Sequence, residues 1–128
     1  MADADFMLEL KNDNDTRNFA LSTSEEIKKE DHYKFLESNI QYFQVIEDKG
    51  SRIGAIRIQD NEISIWIAKQ FRKKGIALMT INTVKRFNMT AKIMVGNFPS
   101  LRAFIRAGFL PIELHELPLE HYIFKYES

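Results

Sequence analysis

The six residues Arg72-Lys73-Lys74-Gly75-Ile76-Ala77 stand between an apolar, strand-like run, Ile63 to Ala68, and a helix-like run, Leu78 to Phe87. A chain that must pass from strand to helix through so short a basic loop has few folds open to it. Gly75 lets successive backbone N–H groups turn toward one point, and the helix that follows brings the positive end of its dipole to the same point. The loop therefore reads as a cradle for an anion, a pyrophosphate in the first instance. Neither standard nucleotide signature fits: no Gly-Lys-Ser/Thr follows as in a P-loop, and no Gly-x-Gly-x-x-Gly occurs. By itself, a glycine beside lysines at a helix start is more often an ordinary turn, so the rest of the chain has to decide.

On its N-terminal side lie three β-rich runs, Tyr42 to Glu47, Arg52 to Gln59 and Glu62 to Ala68, broken at Asp48-Lys49-Gly50-Ser51 and Asp60-Asn61. Tight polar breaks between such runs predict an antiparallel meander. In the third run Ile63, Ile65 and Ile67 alternate with Glu62, Ser64 and Trp66, so the isoleucines can fill a core while the other face is left for chemistry. Earlier in the chain, Phe6 to Leu10 reads as a short first strand, and Asn12 to Asp15 as a turn. A helix is expected to start near Thr16. Thr23 and Glu26 stand at capping-box spacing before a helical stretch through His32, Phe35, Leu36 and Ile40. Beyond the cradle, Ala77, Leu78, Ile81 and Val84 form a helical stripe, followed by a strand over Ala91 to Val95. The loop Asn97-Phe98-Pro99-Ser100, a short helix ending at Gly108, and strands at Leu110 to Leu114 and Tyr122 to Tyr126 complete the pattern.

Strands, then strand–helix–strand–helix–strand, predict an α+β fold with a mixed sheet and helices on its faces. The 128 residues, 45% hydrophobic, suit a single domain over 1–128. Eighteen basic and 18 acidic residues cancel, which gives no general electrostatic argument for nucleic acid or an anionic membrane. Without cysteine there is no thiolate nucleophile and no Cys-based zinc site, and three scattered histidines make a poor metal-ligand set. The N-terminus lacks a signal-peptide pattern and no apolar run is long enough to cross a bilayer, so a cytoplasmic protein is expected.

The spacing Arg72-x-x-Gly75-x-Ala77, between strand and helix, resembles the acyl-CoA-binding signature of the GNAT superfamily of N-acetyltransferases, Gln/Arg-x-x-Gly-x-Gly/Ala. The order Ile93-Met94-Val95, Asn97, Ser100, Ala103-Phe104 and Gly108-Phe109 resembles the second half of the same family's pattern. The resemblance implies a mostly antiparallel sheet splayed between its fourth and fifth strands, here Glu62 to Ala68 and Ala91 to Val95, with acetyl-CoA as co-substrate and no metal. It implies that backbone groups of Trp66, Ile67 and Ala68 hold the pantetheine and that Arg72, Lys73, Lys74, Gly75, Ile76 and Ala77 hold the pyrophosphate. Asn97, Ser100 and Phe104 would line the arm from the other side. Arg102 and Arg106 suit CoA's outer phosphate, although a solvated helix face explains them better. For Asn97 a helix N-cap is the plain reading, which does not exclude ligand contact.

Transfer of an acetyl group to an amine needs a deprotonated amine, an oxyanion donor and a proton for the thiolate, and no protein nucleophile. Glu62 matches by position the glutamate that some members use as a base, directly or through water; a polar residue flanking the turn is the even alternative. Ile67 N–H is the oxyanion donor by the same resemblance. Many members carry a tyrosine seven residues after the Asn, where this chain has Phe104, so the proton must come from elsewhere: Tyr122, Ser100 or water. Arg17, His32 and the Asn-x-x-Ser loop resemble the bacterial branch that acetylates amino-sugar nucleotides, including the pseudaminic acid pathway enzyme. A lone His32 on a helix more often packs than catalyses. The partner is thus a small-molecule amine, with a homodimer left open. Alternatives are a protein N-terminus or polyamine acetyltransferase, for which Glu25, Glu26, Glu30 and Asp31 would supply charge, or a CoA-binding module without catalysis.

Overall fold

A computed structural model describes residues 2–12, 28–72 and 74–127. Helix α1 spans Ala2–Asn12 and α2 Lys29–Asn39, followed by a 3-10 turn, Ile40–Tyr42. Strands β1 (Phe43–Asp48), β2 (Ser51–Gln59) and β3 (Glu62–Ile67) form the expected meander. The two hairpin turns have two residues each, and all four lie at positive φ: Lys49 and Gly50, then Asp60 and Asn61. That geometry matches the twist of the flanking strands, and Asn and Asp tolerate it better than most residues.

A 3-10 turn, Lys69–Phe71, and the basic loop lead into α3 (Ile76–Val84), then β4 (Thr90–Met94), α4 (Phe98–Arg106), β5 (Leu110–His115) and β6 (His121–Lys125). Helix α4 starts where the sequence indicates: the Asn97 carboxamide accepts the N–H of Ser100 at 3.4 Å and Pro99 occupies the first turn. The six strands lie in the order β1-β2-β3-β4-β6-β5, with β3 and β4 parallel and every other pair antiparallel. This is the mixed, mostly antiparallel α+β sheet expected.

The larger core lies between one sheet face and α3 and α4. Ile63, Ile81, Met89, Ile93, Phe104, Phe109 and Phe124 are its large buried members, with Ala91 and Ala107 buried among them, and Ile58 and Ile65 pack against it. Each such side chain contributes roughly 1.5–3 kcal/mol by leaving water. The smaller core covers part of the opposite face, where Met7 and Leu10 of α1 meet Phe43, Ala55 and Ala68, with Phe6, Trp66 and Phe71 at its edge. The residues 6–10, expected as a strand, are therefore helical. Met7 and Leu10 are 2% and 4% exposed and stand three apart, which puts both on one helical face against the sheet. With α1 in place of a first strand, the two strands expected to splay are β3 and β4. The helix start near Thr16 and the Thr23–Glu26 cap lie outside the described residues.

Candidate functional site

Strand β3 pairs with β2 along its whole length but meets β4 at one register pair only, Glu62 with Thr90. At that point Thr90 N–H donates to Asn61 O at 2.9 Å. Beyond it the parallel ladder stops and a notch opens toward Ile67 and Met94. The direction of the backbone groups follows from pairing: Ala68 N–H donates to Ile53 O at 2.9 Å, on the β2 side. Alternation then sends the N–H groups of Ile65 and Ile67 to the other edge, into the notch.

At the open end of β3 the chain turns through Lys69–Phe71 to the basic loop. The Arg72 guanidinium donates from Nε to Ile67 O at 2.9 Å, tying the loop to the end of the strand. Gly75 has φ +74°, and α3 follows with no side chain among the described residues capping its first turn. A Cβ placed on Gly75 would meet no described residue within 4 Å, so the glycine is there for its backbone angle, with open space over it among the described residues. An uncapped helix start beneath open space suits an anion. Lys74 is exposed, with Nζ 5.8 Å from the centre of the Phe71 ring, and Lys73 lies outside the described residues.

Cross-strand partners place Glu62, Ser64 and Trp66 on the face opposite the larger core, beside Gln59, Arg57 and Ala55. The Trp66 ring stacks on Phe43 at 6.0 Å, and the Lys11 ammonium of α1 lies over both rings, 4.9 Å from Phe43 and 5.5 Å from Trp66. Burial, aided by the nearby Arg57 guanidinium, lowers the Lys11 pKa from 10.5 to about 8. A cleft of about 320 Å³ opens on this side, lined by Phe6, Glu9 and Leu10 of α1, Gly50 and Arg52 of the first hairpin, and Ala68, Lys69, Gln70 and Arg72. It reaches the basic loop through Arg72.

The residues singled out from the sequence do not all come together. Glu62, with its side chain 29% exposed and 3.6 Å from Lys92 Nζ, sits at the closed end of the notch. Five residues of strand, roughly 16 Å at about 3.3 Å per residue, separate its Cα from that of Ile67. A carboxylate so placed can serve a reaction beside Ile67 only through intervening water. Tyr122 lies on the other face, edge-on to Phe124 at 5.9 Å and packed against the larger core. Only a passage through the notch would connect it with Glu62. Ser100 is half-buried in the first turn of α4, beside its cap Asn97. Phe104 is 3% exposed and edge-on to Phe109 at 5.0 Å, so it belongs to the core and not to the notch surface. His32 is 1% exposed within α2, also packed inside, and Arg17 lies outside the described residues.

Lys11 and Arg57 escaped the sequence reading. For Arg57 a signal was there: it is the lone charge within Ile53-Gly54-Ala55-Ile56-Arg57-Ile58, at a position whose alternation sends it to the face with Ala55. Among the described residues no group of three or more His, Asp or Glu side chains could hold a metal, and no helix is long and apolar enough to cross a membrane.

No protein-family model matches the chain, and no curated protein matches it in sequence. Its fold is nonetheless shared with solved acetyltransferases. It is similar to spermidine N-acetyltransferase from Vibrio cholerae, solved with CoA and spermine, at TM-score 0.81 and 16% identity over 97% of this chain and 89% of that one. A GNAT-family acetyltransferase from Bacillus anthracis superimposes at TM-score 0.77 and 16% identity, covering 97% and 88% of the two chains. Ribosomal-protein-alanine N-acetyltransferase from Brucella melitensis does so at TM-score 0.74 and 18% identity, covering 99% and 95%. The architecture expected from the two sequence signatures is thus the fold of these proteins.

Proposed function

We propose that this chain, folded as those acetyltransferases are, transfers an acetyl group from acetyl-CoA to a primary amine by direct attack in a ternary complex. The observation that carries this reading is the notch. Strands β3 and β4 part after one register pair, and the Gly75 loop with its uncapped helix start lies just beyond the end of β3. Exposed strand-edge amides ask for hydrogen-bonding partners, and the amide-bearing arm of acetyl-CoA offers them along the notch while its pyrophosphate meets the loop.

In this arrangement the backbone N–H groups of Ile65 and Ile67 align the arm, whereas those of Trp66 and Ala68, expected from the resemblance to share this role, are turned toward β2, Ala68 N–H donating to Ile53 O. Backbone N–H groups from Gly75 to Ala77 hold the pyrophosphate, with Arg72 fixing the loop against Ile67 O. Asn97 and Ser100 bound the notch on the α4 side. The amine nitrogen bonds to the thioester carbonyl carbon, Ile67 N–H stabilises the oxyanion, and the C–S bond breaks as the amide forms. Glu62 takes one ammonium proton through water, and the second proton that the nitrogen sheds as the amide forms passes to the thiolate by way of Ser100, Tyr122 or water. The acceptor we favour from the sequence is an amino-sugar nucleotide; the relatives named for spermidine and ribosomal-protein alanine keep a polyamine or a protein N-terminus as alternatives.

Calorimetric titration with acetyl-CoA, beside desulfo-CoA and ATP, tests the proposal. Selective binding of the CoA compounds is expected. Absence of binding would reduce the Gly75 loop to a structural turn and remove the basis for the assignment.

A further inference from the structure

The sheet face that carries Trp66 and Glu62 also carries a guanidinium that the protein leaves under-satisfied. Arg57 lies in the middle of β2, opposite Phe43 on β1 and Ser64 on β3. Its Nη2 donates to the Gln59 side chain, while its Nε is buried and has no hydrogen-bond partner among the described residues. The neighbouring cation does not relieve this: the Lys11 ammonium lies over Phe43, the residue paired with Arg57, and the two positive charges oppose each other. A buried donor without an acceptor costs on the order of 1–3 kcal/mol, more for a charged group. A planar guanidinium with a donor edge to spare is shaped for a carboxylate or phosphate.

We propose that Arg57, with Lys11 beside it, binds an anionic group of the acceptor, so that the acetylated amine carries a carboxylate or phosphate and is not a plain polyamine. This rests on the acetyltransferase reading and narrows its substrate class. Position supports it: Arg57 pairs with Ser64, three residues before Ile67, so its Cα stands roughly 11 Å from that of Ile67, and a molecule whose amine reaches the notch can extend its anion along the same sheet face to the long Arg57 side chain. Spermine, as bound by the Vibrio cholerae protein, would bring further positive charge to a face that already holds two cations.

The test uses matched acceptors that differ only in the anion: amino acids beside their carboxamides, glucosamine 6-phosphate beside glucosamine, and spermine, each with acetyl-CoA and a thiol-release readout. The anionic member of one pair is expected to show kcat/KM at least about tenfold above its neutral mate. Whichever pair responds distinguishes carboxylate from phosphate. Arg57→Gln should raise KM for the anionic acceptor about a hundredfold while acetyl-CoA affinity and the neutral acceptor's KM stay as they were, and Arg57→Lys should recover part of the loss. A neutral acceptor or spermine used as well as the anionic ones, or a preference unaltered in Arg57→Gln, would overturn the proposal.

A second readout needs no turnover. Because Arg57 is under-satisfied, Arg57→Gln should keep or raise Tm, and the rise in Tm that inorganic phosphate or acetate gives the wild type should shrink in the variant. A lower Tm with an unchanged anion response would make Arg57 a structural residue. If acetyl-CoA itself fails to bind, the acetyltransferase reading falls first, and an Arg57-dependent response to acetate would still report the anion site.

Discussion

At the scale of single residues, two glycines separate two kinds of constraint. Gly75 is held by its φ of +74° with open space around it, whereas Gly54 is held by contact: a Cβ there would lie 2.4 Å from Trp66 O. Gly75→Asn should therefore fold and bind acetyl-CoA nearly as the wild type does, since Asn tolerates the left-handed region. Gly75→Asp should fold as well but lose acetyl-CoA in calorimetry, because it adds negative charge where the pyrophosphate is expected. Equal affinity in the two variants would remove the cradle assignment. Gly54→Ala should instead force β2 away from β3 and lower stability by about 1–3 kcal/mol in denaturant titration, with no dependence on ligand. At position 104 the family pattern invites a tyrosine. Because Phe104 packs edge-on to Phe109 in the core, Phe104→Tyr should lower Tm and leave turnover no higher. The glycine loop was legible in the sequence because φ restrictions are local. The burial of Phe104 was not, since it depends on what packs over it, whereas for His32 packing was already the commoner reading.

At the scale of elements, α1 changes the account of the second sheet face. The run Phe6-Met7-Leu8-Glu9-Leu10 is too short for periodicity to separate strand from helix, and only its packing on Phe43 and Ala55 decides. That packing brings Lys11 over Phe43 and Trp66 and beside Arg57. The folded pKa of Lys11, about 8, is below its ordinary 10.5, so the unfolded chain binds more protons between those values. This group's contribution to stability therefore rises as pH increases from about 8 to about 10.5, and is least favourable below pH 8. Lys11→Met should flatten that part of the wild-type profile in denaturant titrations at successive pH values; identical slopes would place the ammonium in water. The hairpins, by contrast, were readable outright, because Lys49-Gly50 and Asp60-Asn61 supply the positive φ angles that two-residue turns require.

At the scale of the whole molecule, the order of strands and helices from Phe43 onward followed from the sequence, while the single register pair between β3 and β4 did not, because register between distant strands is a property of the assembled sheet. The family resemblance led us to expect a gap; composition and periodicity alone would not have done so. If acetyl-CoA fills the notch, hydrogen exchange at the Ile65 and Ile67 amides should slow by about tenfold or more when it is added, while Trp66 N–H, facing β2, changes little. Equal protection of all three with and without acetyl-CoA would mean that the ligand lies elsewhere. Mechanically, the sheet is two three-stranded leaves, β1-β2-β3 and β4-β6-β5, riveted at Glu62–Thr90 and backed along the seam by the larger core. Such a joint resists least at its open lip, so a pulling force applied across Ile67 and Met94 would part the leaves before it peeled a strand from either one.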